Sequence, residues 1–95
     1  MYYEAILQLR PADKEILKFV STQVEKQKEK VSVAKVVELK TGVDIYLTSQ
    51  RFALALGRKL KKNFKGELKI TRSLHKISRI TSKKIYRLTV CFRKQ

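Results

Sequence analysis

The chain reads as an α/β (α+β) two-layer sandwich of order β-α-β-β-α-β-β: a mostly antiparallel sheet with both helices on one face. Three observations predict it. Five segments carry strand-like alternation or β-branched runs, and two carry apolar residues at helical spacing. Punctuation is sparse, with one Pro and three Gly and no linker, repeat or low-complexity stretch. At 95 residues a divided core would bury too little apolar surface to offset chain entropy, so residues 1–95 form a single compact basic domain.

The first strand, "YYEAILQL" (2–9), sets Tyr3, Ala5, Leu7 and Leu9 on one face and Tyr2, Glu4, Ile6 and Gln8 on the other. Pro11 suits the first turn of the helix that follows, with Asp13 and Glu15 near its positive end. In "PADKEILKFVSTQVEKQKEK" the stripe Ile16, Leu17, Phe19, Val20, Val24 predicts a helix ending before Val31. "VSVAKVVEL" (31–39) and "VDIYLT" (43–48) are strands joined by "KTG", where Gly42 can take the positive φ of a tight hairpin. Ser49 or Thr48 offers a cap for a second helix, 50–64, and Gly66 stands where a helix C-cap favours glycine. The tail forms two long strands, 67–77 and 84–93, with "RITSKK" at the turn. In the last strand Tyr86, Leu88, Val90 and Phe92 alternate against Arg87, Thr89 and Arg93.

Net charge is +15, and its distribution is informative. Residues 1–44 hold eight Lys/Arg against seven Asp/Glu; residues 45–95 hold fifteen against Glu67 alone. Concentrated like charge repels itself, so a surface serving solubility alone would mix the signs. Segregation on this scale implies a polyanionic partner: RNA, DNA or an anionic membrane surface. No apolar run approaches the ~20 residues needed to cross a bilayer, and the start of the chain lacks the basic, then apolar, pattern of a signal peptide. A single cysteine, Cys91, suits a reducing cytoplasm.

The second helix carries the sharpest signal. At 100° per residue Phe52, Ala53, Leu56, Gly57, Leu60 and Phe64 share an arc of about 140°, the core side. Arg51, Arg58, Lys61, Lys62 and Lys65 crowd the opposite arc, with Leu54 among them. Gly57 falls on the apolar side, where it permits close approach to the sheet at a propensity cost of about 1 kcal/mol. Exposed helix faces usually intersperse Glu with Lys, as the first helix does with Glu25 and Lys28; the second has no acid at all. The following hairpin adds Lys69, Arg72, Lys76, Arg79, Lys83, Lys84 and Arg87, which with the helix predicts one continuous cationic surface.

The aromatics are not interleaved with this basic run; Tyr2 and Tyr46 are the candidates for an exposed sheet face. The element order is that of the RNA-recognition motif, but "GVDIYL" lacks its Lys/Arg-Gly-aromatic signature. Phosphate and shape contacts with modest base selectivity fit better. Nothing resembles catalytic machinery. His75 has no nucleophile or acid beside it and reads as a surface residue, Cys91 reads as structural, and Asp44 and Glu67 read as local ion-pair partners. No carboxylates pair for acid–base work and no Gly-rich phosphate loop exists, so no enzyme, metal site or cofactor is expected.

"GVDIYLTSQRFALALGRKL" resembles the central domain of the Nmd-three family. Gly42, Val43, Asp44, Ile45, Tyr46, Ser49 and Ala53 fit the family pattern of Gly, aliphatic, Asp, aliphatic, aromatic, then a Ser-containing helix start with Ala beyond it. The opening strand is similar through Tyr2, Tyr3, Ala5, Gln8 and Arg10, and "RSLHKISRITSKKIYRLTV" resembles the family's basic hairpin. The resemblance implies a late assembly factor, in eukaryotes a nuclear-export adaptor, that binds the joining face of the large ribosomal subunit. It also implies a neighbouring zinc module absent from this chain, hence one domain of a longer protein or a short relative. The Lys-rich form is similar to archaeal members.

The reading is a non-enzymatic ribosomal-RNA-binding domain. Arg51, Arg58, Lys61, Lys62 and Lys65 on the helix, with Lys76, Arg79, Lys83 and Lys84 on the hairpin, would contact phosphates. The alternatives are a module that docks ribosomal or other acidic proteins without touching RNA and, less well supported because the basic helix needs its apolar face for the core, an anionic-membrane binder.

Overall fold

The alternation of the first strand sorts its side chains as expected. The computed structural model describes residues 2–77, 80 and 84–95, with side chains for 2–74, 80 and 86–95. In it β1 (Ala5–Arg10) buries Ala5, Leu7 and Leu9 completely and leaves Ile6, Gln8 and Arg10 half-buried. Pro11 stands in the bend before α1 (Lys14–Lys26) rather than in its first turn. The cap is Asp13, whose carboxylate accepts from the Glu15 backbone N–H at 2.8 Å and so satisfies one of the orphan donors at the positive helix end.

β2 (Val33–Leu39) and β3 (Gly42–Leu47) form a hairpin, and Ser49 caps α2 (Gln50–Asn63) by accepting from the Phe52 N–H at 3.1 Å. β4 (Gly66–Ile77) and β5 (Lys84–Lys94) complete the chain. The sheet order is β2-β3-β1-β5-β4; β1 and β5 run parallel and every other neighbour is antiparallel. The sandwich is therefore the expected one. Its core joins Leu7, Leu9, Leu47, Leu88, Val90 and Phe92 of the sheet to Ile16, Val20, Ala53, Leu56 and Leu60 of the helices. Each large aliphatic side chain so buried contributes about 1.5–3 kcal/mol.

The glycines act by close approach. A Cβ on Gly57 would lie 2.6 Å from Val90 Cγ1, which confirms that α2 presses on the sheet there. Gly42 opens β3 with φ 159°, and a Cβ there would meet the Leu9 carbonyl oxygen at 1.8 Å. The positive φ expected beside the tight β2–β3 turn is present, since Leu39 pairs with Gly42 across two residues, and the neighbouring strand adds a second demand for glycine. Gly66 is not a helix cap: α2 closes at Phe64, and Gly66 begins β4, where a Cβ would sit 2.4 Å from the Arg93 carbonyl oxygen.

The sheet's two outer strands differ from its centre. β2 is largely exposed and has a register irregularity between Val33 and Lys35. β4 and β5 are 12 and 11 residues long, yet β1 accompanies β5 only from Leu88 to Arg93. Among the described residues the far half of that hairpin thus has no third strand beside it, and Leu74 and Tyr86 stand open to solvent there although they share the apolar parity. Of the expected turn at 79–84, residues 79 and 81–83 lie outside the described residues.

Candidate nucleic-acid interface

Two anchors set the direction of α2. Gln50 donates its side-chain amide to the Tyr86 carbonyl at 2.8 Å, and the Gln95 N–H donates to the Lys65 carbonyl at 3.0 Å. The helix therefore runs along β5, with Gly57 against Val90 and Leu68. The flank that holds Phe52 and Lys59 turns to α1, where Lys59 Nζ donates to Gln23 Oε1 at 3.1 Å. Leu54, read as part of the cationic arc, is half-buried against the core instead. It lies one turn before Gly57, on the flank that meets the hairpin, and a helical wheel alone does not know where β4 lies.

What remains outward is cationic. Arg51, Arg58, Lys61 and Lys62 are exposed on α2, and Lys65 is exposed just past its end. At 1.5 Å per residue, Arg51 to Lys62 spans about 16 Å. α2 has no carboxylate, and among the described residues none of these five cations forms an ion pair. The fold is borne by the Ser49 cap and by the buried stripe Ala53, Leu56, Gly57 and Leu60, with Phe52 and Leu54 at its margins. The outward cations touch none of that.

The hairpin's cations divide between the two faces of the sheet. Arg72 pairs with Leu88 in the register and so lies on the helix side, beside α2. Lys69 pairs with Cys91, and Arg87 and Arg93 follow the same parity, so these three lie on the open face. The continuous surface expected of helix and hairpin together is thus, among the described side chains, α2 with Arg72. Lys76 and Lys84 belong to β4 and β5 by backbone, and their side chains, like that of His75, lie outside the described residues, as do Arg79 and Lys83 entirely.

The open face is already engaged with itself. The Arg87 guanidinium lies 3.8 Å from the Tyr3 ring centroid, and its Nε donates to the Tyr3 carbonyl at 3.3 Å. Tyr3 meets Tyr46 edge-on at 4.7 Å, and Lys35 Nζ lies 5.7 Å from the Tyr46 ring. Tyr3 thus leaves the face of Ala5, Leu7 and Leu9, because the bend at Glu4 breaks the alternation. Tyr2 is exposed, and its hydroxyl donates to the Glu4 carboxylate, which raises the phenol above its ordinary value. Asp44 pairs with Arg10 at 2.6 Å, whose other nitrogen donates to the Leu9 and Val43 carbonyls. Glu67 has no such partner among the described residues, and Cys91 is a free, half-buried thiol facing this side.

One cation of the second half is neutralised by the first. Lys94 pairs with Asp13. The ammonium's hydrogen bond, then the Glu15 N–H, hold the Asp13 carboxyl below its ordinary range, and the carboxylate holds the Lys94 ammonium above its own. Sequence reasoning missed Lys59 and its amide neighbours on α1, because they meet only through helix packing. Among the described residues no helix is long and apolar enough to cross a membrane.

A family model described as NMD3, second domain, matches residues 2–93, from just before β1 to the penultimate residue of β5. Comparison with curated proteins gives no match.

Proposed function

The chain belongs to the NMD3 family, which ties it to ribosome-related processes, and from that membership we propose a non-enzymatic domain that binds ribosomal RNA on the large subunit during late assembly. It would act in the cytoplasm as one compact domain of a longer protein, beside a zinc module outside this chain. The observation that carries the reading is the outward face of α2: Arg51, Arg58, Lys61, Lys62 and Lys65, all exposed, with no acid on the helix. A polyanion gains affinity from such a face by releasing condensed counterions, and phosphate contacts set register without reading bases. Arg72, on the helix side of the sheet, would extend the track onto the hairpin, and Lys76, Arg79, Lys83 and Lys84 are proposed to continue it.

The test is a salt titration of binding to large-subunit RNA. With four to six phosphates neutralised, the logarithm of affinity should fall against the logarithm of salt with a slope of about −3 to −5. A flat response would reject the electrostatic account.

One observation favours a second reading. Leu74 and Tyr86 are exposed on the helix side of the hairpin's far half, with Ile70 exposed on the same side nearer the core, which suits docking of a ribosomal or other acidic protein. Partners that survive nuclease treatment in a pull-down, with no RNA affinity left in the purified domain, would establish that reading instead.

A further inference from the structure

Between the C-terminal end of α1 and the first turns of α2 lies a groove of about 330 Å³. Its floor is apolar: Leu56 is buried and Phe52 half-buried. Its walls bear the side-chain amides of Gln23 and Gln27, and the exposed cations Arg51 and Lys59 stand at its rim. No carboxylate lines it; Glu25 and Glu29 of the adjoining segment line a separate depression. The Gln23 side-chain oxygen accepts from Lys59, and its NH2 group donates no hydrogen bond among the described residues. Among the described residues the Gln27 side chain makes no hydrogen bond, so its donor and acceptor are both open.

We infer that this groove receives one unpaired nucleobase of an RNA whose phosphates run along α2. A nucleobase has apolar faces, an edge of donors and acceptors, and a phosphate tethered a short distance away. The groove offers an apolar floor, amide edges and a cationic rim in the same order. Its volume is at the small end of the roughly 300–1,000 Å³ typical of ligand sites, which suits a single base and excludes a helix or duplex. Single-stranded RNA is recognised in this manner, by splayed bases held on apolar surfaces and bonded at their edges. An acidic peptide would favour cations at the floor, whereas here they stand at the rim. The inference rests on the phosphate-binding reading of α2 and adds to it a base-contacting step that the helix alone does not supply.

The experiment compares a short single-stranded oligoribonucleotide with the same oligomer made abasic, on the wild-type chain and on Ala55→Trp. Ala55 lines the groove and is exposed, so the indole fills the site without entering the core. The expected result is about tenfold weaker binding of the abasic oligomer to wild type, with an unchanged salt slope. Ala55→Trp should bind both oligomers equally. Equal affinity of wild type for intact and abasic RNA, with the salt slope retained, overturns the base site and leaves the phosphate reading standing. Loss of salt dependence for both oligomers overturns the phosphate reading and the base site with it. A nucleoside monophosphate added alone should shift the Gln23 and Gln27 amide resonances only weakly. Saturation by the mononucleotide as tight as by the oligomer, or displacement of RNA from the groove by polyglutamate, would show that the site serves a different ligand.

Discussion

α1 and α2 are nearly equal in length, 13 and 14 residues, and cover the same face of the sheet, yet they treat charge in opposite ways. Each buries an apolar stripe, Ile16 and Val20 in one and Ala53, Leu56, Gly57 and Leu60 in the other. Each begins with an oxygen-bearing cap. On its outer surface α1 mixes Lys14, Lys18 and Lys26 with Glu15 and Glu25, while α2 has Arg51, Arg58, Lys59, Lys61 and Lys62 with no acid. The contrast shows that packing a helix on this sheet does not require one-sign charge. The like-charged face of α2 is a self-repulsion that the fold tolerates, and this is the ground for proposing that it serves a partner.

The comparison breaks most directly by neutralising each helix in turn. Arg58→Gln, Lys61→Gln and Lys62→Gln together should lower RNA affinity by about 30- to 100-fold at low salt and flatten the salt slope by about 2–3. Lys14→Gln, Lys18→Gln and Lys26→Gln together should leave affinity within about twofold, since those residues sit among carboxylates. Thermal midpoints should be unchanged or slightly raised in the first set, because like charges have been removed. Equal losses from the two sets, measured by fluorescence anisotropy, would mean that net charge alone acts and that the face of α2 has no special role.

A sharper distinction concerns what α2 does give to the fold. Gly57→Ala places a methyl 2.6 Å from Val90 Cγ1 and 3.1 Å from Leu68 Cδ1. Leu68 is half-buried and can rotate away; Val90 is fully buried and β-branched, so it cannot. Overpacking of this kind costs about 1–3 kcal/mol, against a gain of about 1 kcal/mol in helix propensity, for a net loss of about 0–2 kcal/mol that falls toward the upper end here because Val90 cannot move aside. Urea denaturation reads it. Unaltered stability would mean that α2 is seated less tightly than the geometry indicates. RNA affinity should stay the same, because the outward cations do not share this contact.

The parts legible in the sequence are those whose cause is local. Alternation in β1 and β5 and the stripes of both helices follow from neighbours two to four residues apart, and their buried faces come out as read. What was not legible depends on partners far along the chain. Gly42 reads only as a turn residue and Gly66 as a cap in isolation, but each is held open by a carbonyl on another strand, Leu9 and Arg93. Tyr3 leaves its parity to meet Tyr46 and Arg87. The hairpin's cations, read from the sequence as one continuous surface with the helix, divide between two faces among the described residues, and only the pairing of Arg72 with Leu88 reveals which of them joins the helix. The groove between α1 and α2 arises from residues 23–31 and 49–59 and has no signature in either stretch.

The smallest expected effect concerns the ion pair by which, among the described residues, the two halves neutralise each other. Asp13 is held below its ordinary value of 3.8 by the Lys94 hydrogen bond first and by the Glu15 N–H second. A carboxyl whose folded value is depressed contributes stability that is present above its unfolded value and is lost as pH falls through the folded one. Lys94, held above its ordinary value of 10.5, contributes below that value and loses its share as pH rises through the raised one. The pair therefore acts across the whole interval between. Lys94→Met keeps the aliphatic stem and the Asp13 cap while removing the ammonium. The difference in thermal midpoint between wild type and Lys94→Met should be steady at neutral pH and close as pH drops below 3.8 toward the folded value of Asp13. It should also shrink in high salt, since both side chains are partly exposed to solvent. A difference that persists unchanged into acid would assign the loss to packing of the lysine stem, and the one ion pair joining α1's cap to β5 would then contribute nothing measurable.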